Sequence, residues 1–323
     1  MGYVPNVAGS VVAEGLGKRY GELWALRDVD LNVPRGSVLG LLGHNGAGKT
    51  TTLRILTTLT IPTTGRASVA GFDVVSEAAR VRENIGLTAQ QATVDGLLTA
   101  RANLEMIARL YHMPRAVAKA RASELLERLG IADAADRLVK TFSGGMRRRL
   151  DLAASIMASP PVLFLDEPTT GLDPQSRNDL WTLLRELVAD GATLVLTTQY
   201  LEEADLVADD IVLLDRGRVT AHGTPAELKA LIGGARIVIT LADAADLVRA
   251  ESATLPYTDG AAAIDTGAVQ LSAPLRGDVR LIEIVRALDG AGIDAVDVHR
   301  REPTLDDVFL TLTGAPPAAD PGA

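Results

Sequence analysis

The sequence predicts an α/β protein with a mainly parallel sheet, followed by a second and smaller α+β unit. Three observations predict this. Short apolar runs alternate with amphipathic stretches from Val11 to about Ile232, which is typical of strands covered on both faces by helices. The chain has 323 residues, 47% of them hydrophobic, which is enough for two domains. After the pair Gly233–Gly234 the composition shifts towards Ala and Asp, so we expect the boundary there.

The larger unit should contain four buried strands, in the segments SVLGLLG, PVLFLDEP, ATLVLTT and DIVLLD. Between the second and third, QSRNDLWTLLRELVADG places five apolar residues on one helical face, and Gly191 is a plausible stop. No strand-like run lies between Leu97 and Leu138. That region predicts two or three helices, ANLEMIARLYHM and AVAKARASELLERLG among them, as a helical insertion.

The smaller unit predicts the order β-α-β-β-α-β, which is the ferredoxin-like pattern, and then a closing helix in TLDDVFLTLTG. The predicted domains are therefore residues 1–232 and residues 233–315. We interpret the second as an accessory or regulatory domain because it carries no recognisable catalytic set. Residues 316–323 form a Pro/Ala-rich tail that we expect to be disordered.

Composition excludes several classes of function. The chain has no Cys, so disulfides and thiolate metal sites are ruled out, and its four His show no metal-ligand spacing. A formal net charge of -9 argues against a nucleic-acid partner. No apolar run approaches the roughly 18 residues that cross a bilayer, and the first residues lack signal-peptide character. We expect a cytoplasmic chain whose membrane role, if any, requires a partner.

The segment GLLGHNGAGKTTTLRIL has the spacing Gly43-x-x-x-x-Gly48-Lys49-Thr50 directly after a predicted strand and directly before a helix. In this context glycines let backbone N–H groups face phosphate oxygens, and the helix N-terminus adds partial positive charge. Lys49 should reach the β- and γ-phosphates and Thr50 should ligate Mg²⁺. The sequence therefore predicts a site for ATP and Mg²⁺, formed by Gly43, His44, Asn45, Gly46, Ala47, Gly48, Lys49, Thr50 and Thr51.

A second buried strand delivers two adjacent carboxylates, Asp166 and Glu167, to its C-terminal end. Asp166 suits a direct or water-mediated contact with Mg²⁺. Glu167 suits a general base that orients or deprotonates the attacking water. Two neighbouring carboxylates at this position require a cation, which the phosphate-binding segment would share.

The stretch TFSGGMRRRLDLAASIM contains Ser143-Gly144-Gly145-Met146, which resembles the signature motif of ATP-binding cassette (ABC) proteins, usually Ser-Gly-Gly-Gln. The span from Val11 to about Ile232 resembles an ABC ATPase domain, with its motifs in the family's order. The resemblance implies that Tyr20 stacks on adenine and that Gln90 contacts the nucleotide and Mg²⁺ and links to the transport partner. It also implies that Asp173 lies in the loop after the two carboxylates.

The segments TTQYLEEAD and RREPTLDDVFLTLTG narrow the resemblance to the daunorubicin/doxorubicin-resistance type of ABC ATPase subunit, found in drug and lipid exporters. This resemblance covers nearly the whole chain. It implies a head-to-tail homodimer, in which Ser143, Gly144 and Gly145 contact the ATP held by the other subunit. It also implies a separate polytopic permease, with the chain peripheral at the cytoplasmic face of the cell membrane.

Gln199 occupies the position where the family usually has a histidine that touches the γ-phosphate, so we expect it to act in hydrolysis. The alternative is a glutamine that caps the helix starting near Leu201, although Gln is not a favoured N-cap. His44 departs from the proline common in the family, and its side chain is expected to point to solvent. The three residues Arg147–Arg149 predict a solvated helix face or contacts with nearby acidic groups.

Two other functions fit part of these observations. A non-transport ABC ATPase acting on ribosomes or nucleic acid usually carries two cassettes or a long coiled-coil insertion, and this chain has neither. A small-molecule kinase would use the phosphate-binding segment but would leave Ser143-Gly144-Gly145 unexplained.

Overall fold

A computed structural model of the chain describes residues 9–88, 94–232, 234–260 and 262–313. Its strands, in chain order, are β1 (Gly9–Tyr20), β2 (Leu23–Pro34), β3 (Val38–Leu42), β4 (Thr64–Val69), β5 (Phe72–Asp73), β6 (Ile85–Thr88), β7 (Val162–Asp166), β8 (Thr193–Thr198), β9 (Asp210–Asp215), β10 (Arg218–Gly223), β11 (Arg236–Leu241), β12 (Ala263–Asp265), β13 (Gln270–Pro274) and β14 (Ala295–Arg301).

The helices, in chain order, are α1 (Lys49–Leu56), α2 (Ala78–Glu83), α3 (Ala100–Leu110), α4 (Arg115–Arg128), α5 (Gly144–Ser155), α6 (Pro174–Ala189), α7 (Leu201–Val207), α8 (Pro225–Ala230), α9 (Leu247–Thr254), α10 (Leu281–Gly290) and α11 (Leu305–Thr313). Single 3₁₀ turns occur at Ala132–Ala134, Val139–Thr141, Ala244–Asp246 and Leu255–Tyr257.

The chain divides into two compact units between Pro225 and Ala226. This division lies before the boundary predicted at residues 232 and 233, because helix α8 follows Thr224 directly and groups mostly with the second unit. The predicted tail, residues 316–323, lies outside the described residues.

A six-stranded sheet in the order β10-β9-β3-β8-β7-β6 forms the centre of the first unit. All its pairings are parallel except that of β9 with β10. The four apolar segments identified in the sequence are β3, β7, β8 and β9, so these strand predictions are confirmed. Parallel pairing brings the carboxyl ends of β3, β7 and β8 to one edge of the sheet, where α/β proteins place their ligands.

The two faces of this sheet belong to different hydrophobic cores. Val162 and Phe164 of β7 pack in a core shared with the antiparallel sheet β2-β1-β4-β5. Leu163 and Leu165 of the same strand face a core shared with the helices. Successive side chains of a strand point to opposite faces of the sheet. Since both faces of this sheet are covered, every one of these four positions is apolar.

The helical layer agrees with the sequence prediction. Helices α3 and α4 fill the region in which no strand was expected. Helix α6 buries Leu180, Leu183, Leu184 and Leu187, and it ends two residues before Gly191, whose positive φ of 99° suits a glycine stop. No helix in the described part of the chain has the length and hydropathy of a membrane span.

The second unit has the predicted order β-α-β-β-α-β, made by β11, α9, β12, β13, α10 and β14. Its sheet runs β12-β13-β11-β14, and every neighbouring pair is antiparallel. The apolar faces of α9 and α10 share one core with this sheet, around Ile239, Leu271 and Ile284. The unit therefore has a hydrophobic core of its own.

We predict that a chain ending at residue 232 keeps its nucleotide affinity, because every nucleotide motif precedes this point and the first unit has its own cores. Binding of a fluorescent ATP analogue to the truncated and full-length chains measures this. Circular dichroism is the control for folding. A folded truncation that no longer binds nucleotide would contradict the prediction.

Candidate functional site

The loop between β3 and α1 has the shape of a phosphate cradle. Gly43 has a φ of 153°, and a Cβ there would collide with the carbonyl oxygen of Leu214. Gly48 has a φ of 111°, and a Cβ there would lie 2.9 Å from the carbonyl oxygen of Ala25. Both positions therefore require glycine. Between them, the N–H of Ala47 donates to the carbonyl of His44 at 3.1 Å and closes the turn.

Lys49 begins helix α1, and its side chain folds back against this loop. Its Nζ donates to the carbonyl oxygens of Gly43 at 2.6 Å and His44 at 3.2 Å. It also lies 3.9 Å from Oε1 of Glu167. Burial lowers the pKa of Lys49, while the negative charges of Glu167 and Asp166 act in the opposite direction. Lys49 is thus a buried cation held between the loop and the carboxylates.

The carboxylates lie at the end of β7, as the sequence predicted. Oδ1 of Asp166 accepts hydrogen bonds from the hydroxyl of Thr197, at 2.6 Å, and of Thr50, at 3.4 Å. Thr197 lies opposite Asp166 in the parallel pairing of β7 with β8. The structure therefore brings Lys49, Thr50, Asp166 and Glu167 together within one chain.

Glu167 has an unusual main chain for a non-glycine residue, with a φ of 47°. Its N–H donates to both the carbonyl and the hydroxyl of Thr197, at 3.1 and 3.0 Å. On the other side, Nη2 of Arg148 donates to the Glu167 carbonyl at 2.9 Å. The side chain is only 12% exposed; its Oε1 lies 3.9 Å from Nζ of Lys49, and its Oε2 accepts from the hydroxyl of Thr170 at 3.4 Å.

His44 makes a contact that the sequence did not predict. Its Nε2 is 2.8 Å from Oδ1 of Asp215 at the end of β9, and its Nδ1 is 2.7 Å from the carbonyl oxygen of Asn45. The side chain is nevertheless 40% exposed, so the expectation that it points to solvent is met in part, and the contact with Asp215 is what the sequence did not predict. Strand β9 is the parallel neighbour of β3, which is why Asp215 comes within reach of the loop that follows β3.

Ser143 is the N-cap of helix α5, and its hydroxyl accepts from the N–H of Met146 at 3.3 Å. Ser143 and Gly144 are exposed. A Cβ at Gly145 would lie 2.9 Å from Oγ of Ser176, so this motif packs against the start of helix α6. Asp173 is the N-cap of α6, and hydrogen bonds from the hydroxyl and N–H of Ser176 hold its pKa below the ordinary value.

The remaining predicted site residues are Tyr20, Gln199 and Gln90, and the structure describes the first two of them. Tyr20 ends β1 with 47% of its surface exposed, and Nζ of Lys18 lies 5.1 Å from its ring centroid. Gln199 follows β8 directly and is half-buried. The N-cap of α7 is Tyr200, with no side-chain capping bond, so the geometry does not support a capping role for Gln199. Gln90 lies outside the described residues.

Comparisons with known proteins identify the family of this chain. The family model described as ABC transporter matches residues 26–170. The daunorubicin resistance ATP-binding protein DrrA3 of Streptomyces coeruleorubidus is 53% identical over 94% of this chain and 96% of its own. The daunorubicin/doxorubicin resistance ATP-binding protein DrrA of Streptomyces peucetius is 47% identical over 95% of this chain and 93% of its own.

The chain belongs to the ABC transporter family. Among solved structures, an ATP-binding subunit of an ABC transporter is similar, with a TM-score of 0.63 and 28% identity over 68% of this chain and 92% of that one. A dimeric ATP-binding cassette in a post-hydrolysis state, bound to ADP and Pi, has a TM-score of 0.61 and 28% identity over 66% of this chain and 98% of that one. The protein is an ABC ATPase, as the resemblance in its sequence implied.

Two residues of this ABC ATPase site were missed by reasoning from sequence. Thr197 and Thr198 are two polar residues that end a strand after the apolar run 194–196, and this pattern beside the two carboxylates was the available signal. Arg148 was assigned to a solvated face, or to acidic contacts, with its neighbours. The solvated-face interpretation is wrong for Arg148, which turns towards the end of β7, although Arg149 does pair with Asp179 at 2.6 Å.

We predict that Thr197→Val lowers the turnover of this ABC ATPase by about tenfold. The change keeps the shape of the side chain but removes a hydrogen bond to a charged group, worth about 1.5–3 kcal/mol, and one acceptor for the Glu167 N–H. Turnover at saturating Mg²⁺ and ATP measures the effect.

Thr193→Val is the matched control, since Thr193 is buried at the opposite end of the same strand and accepts from the N–H of Gly36. Wild-type turnover in Thr197→Val would contradict a role for this hydroxyl in holding the carboxylates.

Proposed function

We propose that this chain is the ATP-hydrolysing subunit of an exporter of drug-like or lipid-like molecules and drives a separate membrane permease. The observation that carries the proposal is the grouping of Lys49, Thr50, Asp166 and Glu167 at one sheet edge. The export role is supported by relatives whose names include daunorubicin and doxorubicin resistance.

In the proposed site, the N–H groups of residues 43–51 surround the phosphates of ATP and Tyr20 stacks on the adenine. The exposed ring of Tyr20 is accessible for such stacking. Lys49 neutralises the β- and γ-phosphates. Glu167 holds the attacking water, and Gln199 contacts the γ-phosphate from the end of β8.

Mg²⁺ fits the oxygens of Thr50 and Asp166. They lie 3.4 Å apart, close to the roughly 3 Å that separates adjacent ligands in an octahedron with bonds of about 2.1 Å. Within the described residues no cluster of three or more His, Cys, Asp or Glu could enclose a metal, so phosphate oxygens, water and Gln90 would complete the shell. When bound, Mg²⁺ would neutralise charge that develops on the phosphate oxygens.

Two copies are proposed to pack head-to-tail, with Ser143, Gly144 and Gly145 of one copy against the ATP of the other, next to Asp173. The exposure of Ser143 and Gly144 at the start of a twelve-residue helix supports this, because N–H groups there can bind the γ-phosphate. One related cassette has been solved as a dimer. Loss of the γ-phosphate then removes contacts that favour the closed dimer.

The permease is proposed to hold the chain at the cytoplasmic face of the membrane, and cargo selectivity would lie in that permease. Affinity purification of the tagged chain from detergent-solubilised membranes tests this. We expect a polytopic membrane protein to co-purify in stoichiometric amount. Its absence, together with ribosome or nucleic-acid association that persists at moderate salt, would overturn the transport role.

We predict that Glu167→Gln keeps ATP binding and lowers turnover by about 100-fold, or about 2.7 kcal/mol of barrier, because the neutral amide cannot accept the proton of water. The variant should also accumulate an ATP-bound dimer in size-exclusion chromatography. Lys49→Ala is the control, expected to lose ATP affinity itself. Near-normal hydrolysis in Glu167→Gln would assign the base to another group.

We predict that Gln199→Ala impairs hydrolysis with ATP binding retained, because the amide donor to the phosphate is lost. Gln199→His should stay active and gain a dependence of turnover on pH between about pH 6 and 7.5, since imidazole titrates there and an amide does not.

The pH profiles should be compared in a His44→Pro background, because His44 is a second imidazole beside the cradle. Full activity in Gln199→Ala, together with identical profiles with and without Gln199→His, would exclude Gln199 from the site.

A further inference from the structure

Arg148 binds the main chain at the end of β7 through three carbonyl oxygens. Its Nε donates to the carbonyl of Pro168 at 2.7 Å. Its Nη2 donates to the carbonyls of Asp166 and Glu167, at 3.0 and 2.9 Å. One planar guanidinium therefore binds three consecutive residues. Its donors have a fixed, forked arrangement, which the single nitrogen of a lysine cannot reproduce.

The segment that Arg148 binds is the strained one. A non-glycine residue in the left-handed region costs about 1 kcal/mol or more and persists only when its surroundings hold it. Glu167, with a φ of 47°, has its N–H bound by Thr197 and its carbonyl bound by Arg148. The peptide groups on both sides of the Glu167 Cα are thus fixed, and with them the direction of the carboxylate.

The environment of Arg148 is charged as well as partly buried. Burial lowers its pKa, and the negative charges of Asp151, Asp166 and Glu167 oppose that effect. Since an arginine remains protonated throughout the ordinary pH range, the group acts as a permanent cation behind the carboxylates. Lys49 is the cation next to the Glu167 side chain, with Nζ 3.9 Å from Oε1, whereas Arg148 binds the Glu167 main chain.

Arg148 also belongs to the helix that begins at the Ser-Gly-Gly motif. Ser143 is the N-cap of α5, and Arg148 follows five residues later, about 7.5 Å along the helix axis. Helices of this length can transmit a displacement as rigid elements. A shift at Ser143 would therefore be passed to the carbonyls that Arg148 holds.

We propose that Arg148 is a positioning residue that holds Glu167 in its hydrolytic conformation and links it to the Ser143 end of helix α5. The proposal rests on the proposed roles of Glu167 and of the head-to-tail dimer. It adds that a nucleotide bound at Ser143 of one copy influences the Glu167 of that same copy.

The test is a double-mutant cycle between Arg148→Lys and Glu167→Gln, with turnover at saturating ATP, ATP affinity and thermal stability measured for each variant. We expect Arg148→Lys to lower turnover by about 30-fold, since a misplacement of about 1 Å can cost 100-fold, with ATP affinity within about threefold. In the Glu167→Gln background the same change should cost less than about twofold, because Arg148 acts through Glu167.

Arg147→Ala is the matched control, since Arg147 is the exposed neighbour on the same helix and donates to the carbonyl of Lys140. It should keep wild-type turnover. Arg148→Gln provides a second variant of different size should the lysine variant not fold.

Two outcomes would overturn the proposal: wild-type turnover in folded Arg148 variants, or an equal further loss in the Glu167→Gln background. Normal turnover in Glu167→Gln alone would instead overturn the proposed role of Glu167. The two failures are therefore distinguishable.

Discussion

The pairing of β7 with β8 is the constraint on which the site depends. Asp166 lies opposite Thr197 in this parallel register, so the hydroxyl meets the carboxylate at 2.6 Å and the N–H of Glu167 at 3.0 Å. A shift of one residue would turn every side chain of the strand to the other face. It would also exchange Phe164 with Leu163 and Leu165 between the two cores. The hydrophobic pattern that specifies the fold thus also specifies where the carboxylates lie.

Two cations, Lys49 and Arg148, and two carboxylates, Asp166 and Glu167, lie together at the carboxyl ends of the central strands and offset one another's charge. Lys49 and Arg148 are both buried enough for desolvation to be the largest influence on their pKa values, and both are stabilised by Asp166 and Glu167. A buried charge is tolerated when it is paired and hydrogen-bonded, and removal of one partner is strongly unfavourable. This balance of charge is local, because the chain as a whole is acidic, with a formal net charge of -9.

Much of the fold could be predicted from the sequence because its strongest signals are periodic. The apolar runs became β3, β7, β8 and β9, and the order of the second unit was correct. The contacts that the sequence did not predict, those of His44 and Arg148, are made by polar side chains whose partners are distant in the chain. Asp215 is 171 residues from His44, and the carbonyls of 166–168 lie about 20 residues from Arg148. Such contacts depend on which strands are neighbours, which residue type and spacing do not reveal.

The hydrogen bonds of Lys49 support its proposed role in phosphate binding. An ammonium group has three N–H donors, and the carbonyls of Gly43 and His44 occupy two of them. Among the described residues, the nearest anion is Glu167, at 3.9 Å, beyond hydrogen-bond distance. One N–H donor therefore remains for a phosphate. The two hydrogen bonds to the loop fix the orientation of the ammonium group before a nucleotide binds. The desolvation of Lys49 has already occurred on folding, so the binding of phosphate restores a counter-charge instead of having to remove the lysine from water. Because Glu167 lies 3.9 Å from the same ammonium group, a phosphate bound by Lys49 would lie close to the proposed base.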